Sequence, residues 1–132
     1  MKILLTGSSG LLGTAVLNQA QRFGQQHNID FEFVGLDVQE STFSASNFEN
    51  HVGSFTDAAL MEKILPGCDA VIHTAAYHGR FLKDHTPTEF VEVNVGGLAT
   101  MLEACVKHHV KRFVLSSTME VLVGRDWAAS GM

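Results

Sequence analysis

Lys2-Ile3-Leu4-Leu5-Thr6-Gly7-Ser8-Ser9-Gly10-Leu11-Leu12-Gly13 opens the chain with a short apolar run, three spaced glycines and the first turn of an amphipathic segment. The run from Lys2 to Thr6 reads as a buried strand. Residues 11–23 read as a helix that puts Leu12, Val16 and Ala20 on one face. A glycine-rich turn between a strand and a helix offers unpaired backbone N–H groups, and the helix dipole adds to them, so an anion is favoured there. Gly7 suits the tight turn, Gly10 lets the main chain come close to an anion, and Gly13 lets the helix pack tightly against the strand. No Gly-Lys-Ser/Thr ending follows, so a P-loop nucleoside triphosphatase is not supported.

Outward from this turn, short runs rich in Val, Ile, Leu and Phe alternate with longer segments of helical period. That is the pattern of a parallel sheet covered by helices on both faces. Gly24 is expected to let the chain leave the first helix. Residues 31–36 form a second strand, and the polar stretch 39–50 carries a short helix or only a loop. A short strand at 49–52 precedes a helix at 56–65, with Thr56 as its N-cap and Pro66-Gly67 ending it. Residues 69–74 form the fourth strand. The polar segment 77–88, with Gly79 and Pro87, reads as a loop over the carboxyl ends of the strands and a candidate lid. A long helix at 88–108 follows, with Val91, Val95, Leu98, Leu102 and Cys105 at helical spacing and Lys107, His108 and His109 near its negative end. Residues 111–116 form the fifth strand.

Asp37 ends the second strand, close to where a fold of this pattern places the acid that binds an adenosine ribose. Its carboxylate would accept from the 2′- and 3′-hydroxyls and would repel a 2′-phosphate. Neither Ser8, Ser9 nor Val38-Gln39-Glu40 offers a compensating cation, so NAD(H) is preferred over NADP(H).

Composition narrows the remaining classes. Asp and Glu outnumber Lys and Arg by 14 to 9, and the cations are scattered, so no basic stripe suits a nucleic acid. Cys68 and Cys105 lie in apolar segments and read as buried reduced thiols, not as a disulfide or a metal pair. The opening apolar run stops before a signal-peptide core develops, and no run is long enough to cross a bilayer, so a soluble cytoplasmic protein with no membrane partner is expected.

Taken with three further stretches, the turn gives the sequence a family likeness. Besides Thr6-Gly7-Ser8-Ser9-Gly10-Leu11-Leu12-Gly13, the chain carries Cys68-Asp69-Ala70-Val71-Ile72-His73-Thr74-Ala75-Ala76, Val93-Asn94-Val95-Gly96-Gly97 and Lys111-Arg112-Phe113-Val114-Leu115-Ser116-Ser117-Thr118. It resembles the extended short-chain dehydrogenases, the NAD-dependent epimerase/dehydratase family, along nearly its whole length. The resemblance implies an α/β Rossmann-type doubly wound parallel sheet of about five strands in the order 3-2-1-4-5, within one domain over residues 1–132. It implies NAD contacts from Gly7, Ser9, Gly10, Leu11, Leu12, Gly13, Asp37 and Val38. Thr74, Ala75 and Ala76 would lie along the cofactor, and Asn94 would tie neighbouring strand ends together near the nicotinamide. His78 would reach toward the cofactor phosphates, and Ser116 would line the site at the end of the fifth strand. His73 reads instead as a satisfied strand histidine.

Two departures stand out. Where the family has an aspartate that meets the adenine, this chain has Gly53-Ser54-Phe55, so that contact falls to Ser54 and Phe55, and Asp57 helps begin the next helix. Thr118 resembles the family's catalytic Ser/Thr, but the Tyr with a Lys four residues later, which should follow it, is not found. The only tyrosine, Tyr77, is followed four positions on by Phe81. The expectation is therefore an NAD(H)-binding part of an epimerase/dehydratase-like oxidoreductase, with a nucleotide sugar or related carbonyl or alcohol as substrate, and no turnover by itself. The later strands and the substrate-binding part are expected to be missing. The alternative is a non-catalytic nucleotide sensor or a subunit that docks on a partner or a second copy through its open sheet edge or the helix at 88–108. An enzyme borrowing its Tyr and Lys from another chain ranks last.

Overall fold

The computed structural model of the chain describes residues 1–118. Five parallel strands make one sheet in the order β3-β2-β1-β4-β5, namely β1 Lys2–Thr6, β2 Glu32–Asp37, β3 Phe48–Val52, β4 Ala70–His73 and β5 Arg112–Leu115. Side chains alternate across a strand, and here the alternation divides the core in two. Leu4, Val34, Leu36 and Val71 point to the face covered by α2 (Ala58–Ile64) and α4 (Leu98–Lys107), where Met61, Ile64, Met101 and Cys105 meet them. Ile3, Leu5, Phe33 and Ala70 point to the other face, under Leu17 of α1 (Leu11–His27). Burial of each large aliphatic side chain contributes about 1.5–3 kcal/mol, so the central strand β1, buried on both faces, anchors the sheet. Both cysteines are free and buried, as the sequence implied. Burial pushes the Cys68 thiol up, and burial together with the neighbouring Cys68 pushes Cys105 to about 11, so both are held as inert thiols.

Several local expectations are corrected. α1 runs through Gly24 to His27 and ends at Asn28, which takes the left-handed conformation (φ 54°). A Cβ on Gly24 would stand 2.7 Å from the Ile29 carbonyl oxygen, so this glycine serves the close return of the chain and not its exit from the helix. The buried face of α1 is Gly13, Leu17 and Gly24, with Val16 and Ala20 at its margin, while Leu12 faces the crevice described below. Residues 38–47 form a loop without a helix, held by Asn47 Nδ2 donating to the Phe31 carbonyl (2.6 Å) and by Phe43 edge-on to Phe48.

The N-cap of α2 is Asp57, not Thr56. Asp57 Oδ1 accepts from the N–H groups of Ala59 (2.9 Å) and Leu60 (3.1 Å), and the carboxylate also suits the positive end of the helix. The Thr56 hydroxyl pairs instead with Ser54 Oγ at 2.8 Å. The expected loop at 77–88 holds a 3₁₀ turn at Gly79–Phe81 and already ends at Thr86, which caps α3 (Pro87–Val91) through a capping box with Glu89. Pro87 sits at the first helical position, where its missing N–H costs nothing.

From α3 the helix continues through a π-helical stretch, Glu92–Gly97, into α4. Of the apolar residues at helical spacing, Cys105 is buried and Leu98 packs against the core, while Val91, Val95 and Leu102 are 59%, 62% and 41% exposed. Gly97 and Met101 pack inward beside Cys105, because only a glycine lets this helix approach α2's entry; a Cβ on Gly97 would lie 2.5 Å from Thr56 Cγ2 and 2.9 Å from the Phe55 ring.

Candidate functional site

A crevice of about 420 Å³ opens at the carboxyl ends of β1, β2 and β4, on the line where the chain order of the sheet reverses. Its floor is the glycine-rich turn. Gly7 has φ +72°, and a Cβ there would stand 2.6 Å from Thr74 Oγ1 and 2.8 Å from the Ala75 nitrogen. A Cβ on Gly13 would fall 2.1 Å from the Gly7 carbonyl oxygen, so α1 starts directly against the turn only because position 13 lacks a side chain. Gly10 differs. Its backbone is extended (φ −72°, ψ 169°), and a Cβ would meet only the Gly7 oxygen at 3.3 Å. The turn's own packing makes a lesser demand for glycine at position 10 than at 7 or 13, and position 10 is on the wall of the crevice.

No side chain caps α1, and no acidic residue lies in its first turn. The opening N–H groups of a helix have no intrahelical acceptor, so they are left to face an anion. Leu11, at the first helical position, is 94% exposed and lines the crevice together with Leu12 and Gly13. These features fit the linking phosphates of a dinucleotide.

Asp37 stands at the other end of the turn. Its Oδ2 accepts from the Ser9 N–H (3.0 Å) and its Oδ1 from the Gln39 N–H (3.1 Å), so the carboxylate bridges the turn to the end of β2. Each oxygen keeps a lone pair for a hydroxyl donor. Val38, Ser54 and Phe55 border this end, and Thr74, Ala75, Ala76 and His78 border the opposite wall. Thr74 is fixed by its hydroxyl, which donates to the Thr6 carbonyl (2.8 Å). Beneath it, Thr6 Oγ1 accepts from the Ala75 N–H (3.4 Å) and pairs with His73 Nδ1 at 2.6 Å. This leaves the hydroxyl proton for Nδ1 and favours the neutral imidazole. Burial, with Phe55 edge-on at 4.7 Å, pushes His73 down to about 4. His73 is thus the satisfied strand histidine that the sequence suggested, and it does not line the crevice.

Four residues named from the resemblance lie outside the lining. Ser9 contributes its backbone to Asp37, and its hydroxyl donates to the Gln39 carbonyl (3.0 Å). Asn94 ties the segment after β4 to the π-helical stretch, and not two strand ends to each other. Its Oδ1 accepts from the Tyr77 N–H and its Nδ2 donates to the Tyr77 carbonyl, both at 2.8 Å. The widened turn at Glu92–Gly97 gives Asn94 this aim. Ser116 and Thr118 follow β5 as exposed residues, with the Ser116 N–H donating to the His73 carbonyl (2.9 Å).

The sequence reading missed Gln39, Gly53, Tyr77, Arg80 and Phe81, all of which line the crevice. Three of them belong to the candidate lid segment, from which the family resemblance implies a cofactor contact for His78 alone. The signal was their adjacency to Ala75-Ala76: a segment that leaves β4 at its carboxyl end must pass over the ligand side.

The family model described as the NAD dependent epimerase/dehydratase family matches residues 3–125. The chain belongs to that family. Among curated members, it is 32% identical over 120 residues to the N-acetyl-alpha-D-glucosaminyl-diphospho-ditrans,octacis-undecaprenol 4-epimerase of Escherichia coli O157:H7, covering 90% of this chain and 33% of that one. It is 31% identical over 123 residues to the dTDP-glucose 4,6-dehydratase of Mycobacterium tuberculosis H37Rv, covering 89% and 36%. Among solved structures, a short-chain dehydrogenase/reductase superfamily protein from Agrobacterium tumefaciens with bound NAD superposes with a TM-score of 0.74 at 30% identity, covering 92% of this chain and 34% of that one. The double mutant of the dTDP-glucose 4,6-dehydratase DesIV from Streptomyces venezuelae, with NAD and DAU bound, gives 0.81 at 28% identity, covering 96% and 42%. The chain therefore spans about a third of the length of the curated family members it matches. No helix among the described residues is long and apolar enough to cross a membrane.

Proposed function

We propose that the chain is the NAD(H)-binding part of an epimerase/dehydratase-like oxidoreductase whose substrate is a nucleotide sugar or a related alcohol or carbonyl compound. The observation that carries this reading is the pairing, in one crevice, of uncapped N–H groups at the start of α1 with the Asp37 carboxylate. The first suits two linked phosphates and the second an unphosphorylated ribose, so NAD(H) is favoured over NADP(H). Ser54 and Phe55 border the adenine, and Thr74, Ala75, Ala76 and His78 run along the rest of the cofactor. When bound, the nicotinamide supplies a hydride acceptor or donor. Thr118 would hydrogen-bond the substrate oxygen, but proton transfer needs a Tyr and Lys pair that these 132 residues do not contain. The chain therefore binds the cofactor without turning it over, in the cytoplasm.

Titration calorimetry with NAD, NADH and ADP-ribose tests the reading. Measurable heat with all three is expected, weaker than for a complete site; no heat with any of them at millimolar concentration overturns it. A second reading, a nucleotide sensor that docks on a partner or on a copy of itself, draws on the apolar residues Val91, Val95, Leu102 and Val106 exposed along α3 to α4. A clean monomer by sedimentation at high concentration would leave docking on a copy of itself without support.

A further inference from the structure

We propose that Arg80 is an anion-recognition residue of this crevice, placing its guanidinium against the linking phosphates of the bound dinucleotide. This rests on the cofactor reading above and adds a residue to it. The walls carry two fixed charges, Asp37 and Arg80. A dinucleotide brings two negative phosphates, which with Asp37 makes three negative charges in one cleft. The start of a helix offsets only about half a charge, so a cation adds to the attraction, and Arg80 is the permanent one among the lining residues.

The structure presents Arg80 for that purpose. Among the described residues, no carboxylate forms an ion pair with it. It sits in the Gly79–Phe81 turn, closed by the Phe81 N–H donating to the His78 carbonyl (2.8 Å). Its guanidinium carbon lies 5.3 Å from the centre of the Phe81 ring, and that ring packs against Tyr77 (5.3 Å) and His78 (5.1 Å). Tyr77 is in turn held at both backbone groups by Asn94. An aromatic platform tied to the helix thus limits the rotamers of the arginine before any ligand arrives.

The test compares the chain with Arg80→Gln and Arg80→Lys, each checked for an unchanged melting temperature, using NAD, ADP-ribose and adenosine. A charge-assisted pair in an open cleft makes about a tenfold difference in affinity. Arg80→Gln is expected to weaken NAD and ADP-ribose about tenfold and to leave adenosine shifts in a nitrogen-proton NMR titration unchanged, with Arg80→Lys recovering most of the loss. If Arg80→Gln binds NAD and ADP-ribose as the parent does, or if adenosine weakens equally, the inference is overturned while the cofactor reading stands. A parent chain that binds neither dinucleotide nor ADP-ribose removes both.

Discussion

Alanine at Gly10 and alanine at Gly13 should have opposite effects, because the two glycines answer to different neighbours. At Gly13 the new Cβ falls 2.1 Å from the Gly7 oxygen and 2.8 Å from the Gly7 carbonyl carbon and Ser8 Cα. Carbon contacts are comfortable at about 3.5 Å, so the clash exceeds an ångström. Its partner is backbone, and Gly7 cannot retreat, being wedged at φ +72° against Thr74 and Ala75. The cost should reach about 3 kcal/mol or more, a large part of the roughly 5–15 kcal/mol that holds a domain together. At Gly10 the Cβ meets one atom at 3.3 Å in a backbone conformation open to alanine, so stability should move by no more than about 1 kcal/mol. The methyl would instead project where a phosphate must approach, removing at least one charge-assisted hydrogen bond of about 1.5–3 kcal/mol, or roughly ten- to a hundredfold in Kd. Urea unfolding and calorimetry with NAD read the two effects separately. A Gly13→Ala chain of parental stability, or a Gly10→Ala chain that binds NAD as the parent does, would refute the division.

Asp37→Ser should weaken NAD about tenfold, and NADP less, narrowing the preference between them; an unchanged NAD/NADP ratio in competition titrations would remove Asp37 from ribose recognition. Burial keeps His73 neutral down to about pH 4, whereas the unfolded chain takes up that proton near 6.5. Stability should therefore fall as pH drops from about 6.5 toward 4, by about 3 kcal/mol from this group, and the fall should be smaller by that amount in His73→Gln when both are unfolded in urea across the range. Asp57→Ala should lower stability by about 1 kcal/mol through the lost cap of α2, while Thr56→Ala costs less; the reverse order of melting temperatures would return the cap to Thr56.

The strands and the turn were legible because each is written in consecutive residues. Lys2–Thr6 and Arg112–Leu115 are short apolar runs that begin on a cation, Phe48–Val52 is a short segment with an apolar residue at each end, and Gly7 and Gly13 answer to packing at the end of one strand while Gly10 lines the crevice. The buried side of the long helix was not legible. Val91, Val95 and Leu102 form one apolar seam and Val93, Gly97, Met101 and Cys105 another, so periodicity alone permits both. What decides between them is the closeness of Gly97 to Phe55 and Thr56, a contact between distant segments, together with the extra residue of the π-helical stretch, which shifts the phase. The Gly24 error has the same origin. A glycine near a helix end reads as an exit, but its need is set by the Ile29 carbonyl returning over it. In the crevice, Asp37 could be named from its place at a strand end. For Arg80 the sequence signals only that its segment passes over the ligand side; which of its residues reach the wall is set by the fold of the Tyr77-to-Phe81 segment.

The walls of the crevice are joined by three hydrogen-bonded pins, each crossing between elements. Asp37 fixes the turn to the end of β2, Thr6 joins β1 to His73 and Ala75, and Asn94 holds the segment after β4 against the helix. Only the second is buried, with His73 and Thr6 inside the sheet; Asp37 and Asn94 lie at its margin, where each hydrogen bond contributes about 1 kcal/mol to folding. The marginal pins set where the two walls stand relative to the start of α1. Ligand affinity depends on both walls at once, whereas the core under β1 does not, so weakening Asp37 or Asn94 should loosen the crevice well before it unfolds the chain. The Thr6 to His73 pin behaves oppositely, since breaking it strands a buried imidazole in the core and is felt first as lost stability.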